Sequence, residues 1–562
     1  MGILELQAET SRKEVADLVG LKPSALSYLL YYVPDNQRYK KFEIAKKDGG
    51  TRKITAPLGA LKVVETRLSK VLYACCDDID AKNKRRCVSH GFRNGRSIFT
   101  NAHEHRHRRF VLNLDIEDFF PSFNFGRVRG FFIKSEDFQL KPDVATAIAQ
   151  IACFENGLPQ GSPCSPVISD LIAGALDGKL VKLAKSVRCT YTRYADDLTF
   201  STNQKTFPTA LAHQDSLAPS AWHLGTKLLQ KITSSRFIVN DGKTRMQCRG
   251  SRQLVTGLIV NEKVNIRAAY YRSARAMCQN LFATGKYFLP APKLAGAEGL
   301  NDSVISELSD SNVLEGILSH IHYIRNRADL RDRVDKKRQP TATRELYKRF
   351  LFFKYFVNLK KPLIVCEGKT DGIYIRAAMK SLLSYKEQFF AADGNALVSV
   401  FNQKSIASEI LQLEGGTEPL KIFLQDYHKN LKCYSCAPLA HPVIVLVDND
   451  NGASSIFSFL KQKLKVEIGV KSPNDFYHVH DNLYVVKTPE IGENGTSCIE
   501  SLFAVEALAT KVDGISFQDG LSKFGFAEKV VLKQADKIDF SKFSALLDRI
   551  IAVIEHYQSA KP

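Results

Sequence analysis

Tyr194-Ala195-Asp196-Asp197 sets two adjacent carboxylates between apolar, β-favouring runs, in Arg-Tyr-Ala-Asp-Asp-Leu-Thr-Phe. A turn holds an Asp pair cheaply, but this one lacks the usual Gly, Asn or Pro. The pair reads as a hairpin tip that presents two negative charges to metal. Joining nucleotides needs two divalent ions, one activating the attacking hydroxyl and one holding the triphosphate and its leaving oxygen. Hard Mg²⁺ takes carboxylate oxygens and keeps positions open for substrate. A third acid must come from another strand. Asp115, at the end of an apolar run in Leu114-Asp115-Ile116-Glu117-Asp118-Phe119-Phe120, supplies it.

A second acid set lies far along the chain. Leu363-Ile-Val-Cys-Glu367-Gly368-Lys369-Thr370-Asp371 puts a carboxylate just past an apolar strand, at a Gly turn into a helix. Val443-Ile-Val-Leu-Val-Asp448-Asn449-Asp450 puts two more at the end of another. In an open α/β sheet, sites form beyond the carboxyl ends of the strands, so Glu367, Asp448 and Asp450 are expected to meet there.

These acids sit in a basic chain. Its 562 residues exceed one hydrophobic core and imply several domains. Lys+Arg 79 against Asp+Glu 59 gives a net charge of +20. That excess favours a polyanionic partner, because neutralising phosphates releases counterions. No apolar run approaches membrane-span length and no signal-peptide pattern opens the chain, so a cytoplasmic nucleic-acid protein with no membrane partner is expected. The 12 Cys are scattered in apolar contexts, as reduced thiols are, and Cys433-x-x-Cys436 has no second pair at zinc-finger spacing.

The elements follow from pattern. Residues 1–40 read as a small helical cap, with Ser11-Arg-Lys-Glu14 as a capping box and Pro23 restarting a helix. Residues 41–57 read as a basic hairpin turning at Asp48-Gly49-Gly50. Short β runs and helices mix over 111–260, and 265–355 is almost wholly helical and basic. From Leu363 onward, strand, Gly turn, helix and strand alternate as in a parallel sheet. The expected division is a cap (1–40), a first mixed α+β domain (41–262), a basic helical segment (263–357), an α/β domain (358–510) and a C-terminal extension (511–562).

Asp115 in Leu-Asp-Ile-x-x-Phe-Phe, then Gly157-Leu-Pro-Gln160-Gly161-Ser-Pro-x-Ser165-Pro, then Tyr-Ala-Asp-Asp, resemble in order motifs A, B and C of bacterial retroelement reverse transcriptases. The resemblance implies a right-hand polymerase fold of fingers, palm and thumb over roughly 40–350. It implies Lys46, Lys47 and Arg52 on the incoming triphosphate, Phe120 as the steric gate against a ribose 2′-OH, and Gln160 and Gly161 lining the nucleotide pocket. Lys243, in Phe237-Ile-Val-Asn-Asp-Gly-Lys-Thr, resembles the motif D lysine that protonates departing pyrophosphate. His90-Gly-Phe-Arg93-x-Gly95 is shared with group II intron enzymes. Asn101-Ala-His-Glu-His105 and Val255-Thr256-Gly257 resemble segments of retron enzymes, which implies that Asn101, His105, Val255, Thr256 and Gly257 are substrate-binding. A retron enzyme is bacterial, takes dNTPs and two Mg²⁺ ions, and extends its own structured non-coding RNA from a guanosine 2′-OH to give branched msDNA. Its helical thumb grips that RNA by phosphate and shape.

The Glu-Gly and Asp-x-Asp pair resembles the Toprim domain, Rossmann-like in fold, of topoisomerases, primases and OLD-family nucleases, over about 360–510. Gly415-Gly416-Thr417 and Cys498-Ile-Glu500-Ser-Leu-Phe resemble the OLD-type versions. This implies one or two Mg²⁺ ions on Glu367, Asp448 and Asp450, with Glu500 as a further ligand and Lys369 near phosphate. The expected function is a retron reverse transcriptase whose fused nuclease, with its own nucleic-acid target, serves anti-phage defence; a homo-oligomer is compatible with it. Two alternatives stand beside it: a mobile-intron maturase, and a Toprim half that is a non-catalytic scaffold packing msDNA and driving oligomerisation.

Overall fold

The computed structural model describes residues 2–45, 50–83, 87–215, 221–289 and 306–560. The chain divides into two compact units: residues 1–270, 291–303 and 323–330, and residues 271–290, 304–322 and 331–562. The helical segment 263–357 thus contributes to both.

In the first unit the Ser11 capping box forms, with the Ser11 N–H donating to Glu14 Oε2 at 3.0 Å, and it opens the helix Arg12–Leu18. The helix Pro23–Tyr31 starts on Pro at its first turn, where no N–H is needed. The basic hairpin is present as β1 (Tyr39–Ala45) and β2 (Thr51–Pro57), paired from Tyr39↔Pro57 to Ala45↔Thr51. Lys46 and Lys47 lie outside the described residues. The long helix α1 (Gly59–Asn83) and the short helix α2 (Ile98–Glu104) follow.

The sheet that carries the first acids has four antiparallel strands: β3 (Phe110–Asp115), β4 (Thr190–Tyr194), β5 (Asp197–Thr202) and β6 (Arg245–Cys248), in the order β4-β5-β3-β6. Leu112, Leu114, Leu198 and Phe200 of these strands join one core with helices such as Pro142–Ala152 and Ser165–Ser186. Burying each such side chain contributes roughly 1.5–3 kcal/mol. The hairpin β7 (Leu254–Val255) and β8 (Leu258–Ile259) closes on a two-residue turn, Thr256-Gly257, with φ of +46° and +81°. Positive φ at both positions is the twist-matched hairpin turn.

The second unit is built on a five-stranded sheet. Its strands are β9 (Leu363–Cys366), β10 (Ser399–Val400), β11 (Val443–Val447), β12 (Tyr477–His480) and β13 (Leu483–Lys487), in the order β10-β9-β11-β13-β12. All neighbours pair in parallel except β12, which runs antiparallel to β13. The three central strands are buried along their whole length, which is why they read as unbroken apolar runs. Helices α3 (Asp371–Ser381), α4 (Thr417–Leu431) and α5 (Ser544–Ser559) belong to this unit. Leu546, Leu547 and Ile550 share a core with Ile364, Ile444 and Val486, so the segment after 510 completes the sheet's packing.

Candidate functional site

The first acids meet because of register. Asp115 ends β3 and pairs directly with Asp197, the first residue of β5. Tyr194↔Asp197 is the last pair of the β4–β5 hairpin, so Ala195-Asp196 is its two-residue turn. Ala195 sits at φ +55°, a left-handed conformation costing an L-residue roughly 1–2 kcal/mol. Three contacts hold it there. The Ile116 N–H donates to the Asp196 carbonyl at 3.0 Å. The Arg193 guanidinium donates to the Ala195 carbonyl at 3.3 Å. Gly91 presses on the turn so closely that a Cβ there would stand 2.5 Å from Ala195 N.

Arg193 is fully buried beneath the turn. Its Nη2 lies 2.8 Å from Asp170 Oδ1 and 2.7 Å from Asp177 Oδ2. Arg93 also pairs with Asp170, and Ser89 donates to it at 2.5 Å. A buried guanidinium is tolerable only when so fully paired. The His90-Gly-Phe-Arg93 segment therefore supports the acidic turn from behind.

Burial, then the charges of Asp196 and Asp115, push Asp197 up to about 7. Burial and Asp115 likewise raise Asp196, partly offset by Lys243 and Arg52. Lys243 Nζ lies 3.0 and 3.1 Å from the two oxygens of Asp115. Burial lowers this ammonium, but the hydrogen bond and charge of Asp115 outweigh it and hold Lys243 above its usual range. Three crowded carboxylates with one lysine carry excess negative charge, and their hard oxygens are the donor set a divalent ion of the Mg²⁺ class takes.

The acids open on a cleft of about 940 Å³ whose lining includes Arg52, Phe120, Gln160, Asp115, Asp196 and Lys243. Phe120 is half-buried and packs on Phe92 with ring centroids 6.0 Å apart. The Thr55 N–H donates to the Gln160 carbonyl at 2.7 Å, tying the basic hairpin to the Gln-Gly segment. Gly161 sits at φ +119°, a backbone conformation that strains any L side chain, and a Cβ there would press on Ile54 Cγ2 at 3.0 Å and the Thr55 carbonyl at 3.1 Å.

Asn101 and His105, expected to bind substrate, are fully buried. His105 bridges Ser201 Oγ and Thr192 Oγ1, both at 2.7 Å, and Thr192 donates to Asn101 Oδ1 at 2.6 Å. Burial, helped by Arg108 and His90, lowers His105 to about 3, so it stays a neutral bridge. The pair fastens α2 to the acidic hairpin, because polar groups in a core must find partners. Val255 is also buried; Thr256 donates to the Ile98 carbonyl at 3.3 Å, and Gly257 is exposed. Glu65 is buried and accepts from Ser162, the residue after Gly161. Burial raises its carboxyl to about 8, against the smaller effect of Ser162.

Residues 44–269 match the family model "Reverse transcriptase (RNA-dependent DNA polymerase)". The Retron Ec86 reverse transcriptase of Escherichia coli is 33% identical over 257 residues, which cover 45% of this chain and 73% of that protein. The chain belongs to the retron reverse transcriptase family. Two Myxococcus xanthus relatives, the Retron Mx162 and Retron Mx65 reverse transcriptases, are 33% and 32% identical over 46% and 47% of this chain. The chain spans 54% and 64% of their lengths. Among solved structures, telomerase from Candida albicans with a fragment of telomeric RNA aligns over 60% of this chain at 10% identity, with a TM-score of 0.29, a likeness too slight to bear on the fold. The matched residues 44–269 all lie in the first unit, which mixes helix and sheet. No helix among the described residues is long and apolar enough to cross a membrane.

The second acid set lies outside the residues that the family model matches. Parallel pairing of Cys366 with Leu446 leaves Glu367 one residue and Asp448 two residues past the paired strand ends. The Asp448 N–H donates to Glu367 Oε2 at 3.4 Å, and the Thr417 hydroxyl donates to Glu367 Oε1 at 2.8 Å. The Ile499 N–H donates to Asp448 Oδ1 at 2.9 Å. Asp371, which the sequence reading left unassigned, accepts from the Gly368 N–H at 2.6 Å. Burial, then Asp371 and Glu367, raise Asp448 to about 7; burial, with Glu500 and Glu367 among the charges, raises Asp371 to about 6. Glu500 is buried, pairs with Lys523 Nζ at 2.9 Å, and leaves Oε2 with no hydrogen-bond partner. That orphaned oxygen and the raised acids fit a divalent cation. Asp450 is placed differently: it caps the following turn, accepting from Gly452 N at 2.8 Å and Ala453 N at 3.3 Å. Beside Gly368 and the exposed Lys369 lies a cavity of about 420 Å³ that Arg376, Lys380 and Lys404 also line.

Proposed function

We propose that the chain reverse-transcribes a cognate non-coding RNA from a guanosine 2′-OH to give msDNA. The direct pairing of Asp115 with Asp197, beside Asp196 and over a cleft lined by Arg52 and Gln160, carries this reading within a retron family. Asp115, Asp196 and Asp197 would hold Mg²⁺, and bound Mg²⁺ supplies Lewis-acid polarisation of the phosphoryl oxygens and an activated attacking hydroxyl. Arg52 meets the triphosphate. The Phe120 ring occupies the space a ribose 2′-OH would need, and Gln160 and Gly161 shape the pocket around the base and sugar. Lys243, held protonated at Asp115, gives its proton to the departing pyrophosphate. The helices of 263–357 form the thumb, and the Thr256-Gly257 turn, with Val255 buried behind it, faces the RNA. The partners are the non-coding RNA, msDNA and dNTPs in a bacterial cytoplasm.

The second unit is proposed to be a Toprim-like, metal-dependent nuclease held in check by msDNA and serving anti-phage defence. The convergence of Glu367, Asp448, Asp371 and Glu500 at the carboxyl ends of parallel strands supports it. Glu367→Gln should abolish metal-dependent cleavage or cell toxicity and leave msDNA intact. Loss of msDNA instead would make the unit a synthetic partner. One observation favours a non-catalytic scaffold: Asp450, an expected ligand, serves as a cap. Cleavage that survives Asp450→Asn but not Asp371→Asn would reconcile that cap with catalysis; no cleavage by the wild type leaves the scaffold.

A further inference from the structure

A third group of donors lies in the second unit, separate from the acids past the strand ends. The helix α4 begins at Thr417, whose hydroxyl holds Glu367, and carries His428 in its last turn. There it docks on the turn between β12 and β13. Tyr427 donates to Asn482 Oδ1 at 2.8 Å, and Asn482 is fully buried, which fixes the docking. Asp481, at φ +45°, is pinned by its carbonyl, which pairs with His478 Nε2 at 2.8 Å.

On this frame His428 Nδ1 lies 3.3 Å from Asp481 Oδ2, and His480 Nδ1 lies 3.4 Å from the same oxygen. The two imidazoles stack, with centroids 3.9 Å apart and planes 3° from parallel. The three donor atoms all lie within 4.8 Å of one another. A charge-assisted N–H···O bond is about 2.7–2.9 Å long, so both contacts are long for ion pairs. Around a tetrahedral ion with bonds of about 2.0–2.1 Å, neighbouring donors stand about 3.3–3.4 Å apart, which matches the two contacts to Asp481. Imidazole nitrogens select zinc, copper or nickel over magnesium or calcium.

We propose that His428, His480 and Asp481 bind one transition-metal dication of the zinc class, with water completing the coordination. Because the half-buried rings are stacked 3° from parallel, binding requires at least one of them to rotate out of the stack so that the ion lies in both ring planes. The ion ties the end of α4 to the β12–β13 turn and braces the helix whose first residue contacts Glu367. The site does not depend on the nuclease reading.

The test uses the full chain, stripped by chelator and kept in excess Mg²⁺ to occupy the carboxylate sites. Zn²⁺ is titrated by calorimetry, and Co²⁺ is followed by its visible absorption. The wild type should bind one more Zn²⁺ per chain than His428→Ala/His480→Ala. Affinity for that ion should fall more than ~100-fold, beyond the ~10–100-fold that losing a mere supporting partner costs. The Co²⁺ bands should vanish with it. Asp481→Asn, nearly isosteric, should weaken the same ion if the double variant folds poorly. Unchanged Zn²⁺ stoichiometry and affinity in the folded variants would overturn the proposal.

Discussion

Asp115 stands directly opposite Asp197 across the pairing of β3 and β5, so two of the three clustered carboxylates are fixed by one strand register. A one-residue slip would turn Asp115 to the other face of the sheet. Asp196 depends on the turn instead, and the turn depends on its support.

That support predicts the effect of one methyl group. Gly91→Ala would place a Cβ 2.5 Å from Ala195 N and must displace the turn. A shift of about 1 Å at a reacting centre costs up to ~100-fold in rate. Single-nucleotide extension should show kcat falling at least ~10-fold with KM for dNTP little changed. An unchanged kcat would show that the turn does not need this close approach.

Arg193→Met tests the buried ion group. It leaves Asp170 and Asp177 without their shared cation, and breaking such a group costs about 3–5 kcal/mol. Urea unfolding of the variant should show that loss, and adding Asp170→Asn with Asp177→Asn should recover part of it. A loss below ~1 kcal/mol would mean that the guanidinium contributes no more than an exposed pair.

Glu65 gives the fold a pH dependence of defined sign. Its folded pKa, about 8, lies above its ordinary 4.5. Between those values the native state keeps a proton that the unfolded chain has released, so this group's contribution to stability falls as pH rises through the window. Glu65→Gln cannot ionise and should flatten the unfolding free energy across pH 5–8 relative to the wild type. Equal slopes in the two proteins would contradict the burial assigned to Glu65.

Local pattern reached the parts of the sites that local sequence makes. The apolar runs ending in Asp115, Glu367 and Asp448 are strands, and parallel burial explains why Val443–Val447 shows no alternation. The capping box at Ser11 and the hairpin around residue 50 follow from adjacent residues. Partnerships across long separations were not legible. Lys523 reaches Glu500 from a segment that carried no chemical pattern, and Asp371 joins its acids only because a Gly turn folds it back. Asn101 and His105 read as substrate-binding because their segment resembles one of retron enzymes. Their partners, Thr192 and Ser201, lie some ninety residues away, so only the fold places them in the core. Asp450 carries the converse lesson: an acid at a strand end is also the best cap for the next turn.

The central claim is that Asp115, Asp196 and Asp197 build a DNA strand onto a 2′-OH of the chain's own RNA. The chain is co-expressed with the non-coding RNA adjoining its coding sequence, and the nucleic acid that purifies with it is sequenced before and after 2′–5′ debranching. The account predicts a short DNA joined to a guanosine 2′-OH, absent when Asp196→Asn and Asp197→Asn are introduced together. An unbranched cDNA from the wild type, or a branched product that persists in the double variant, would contradict it.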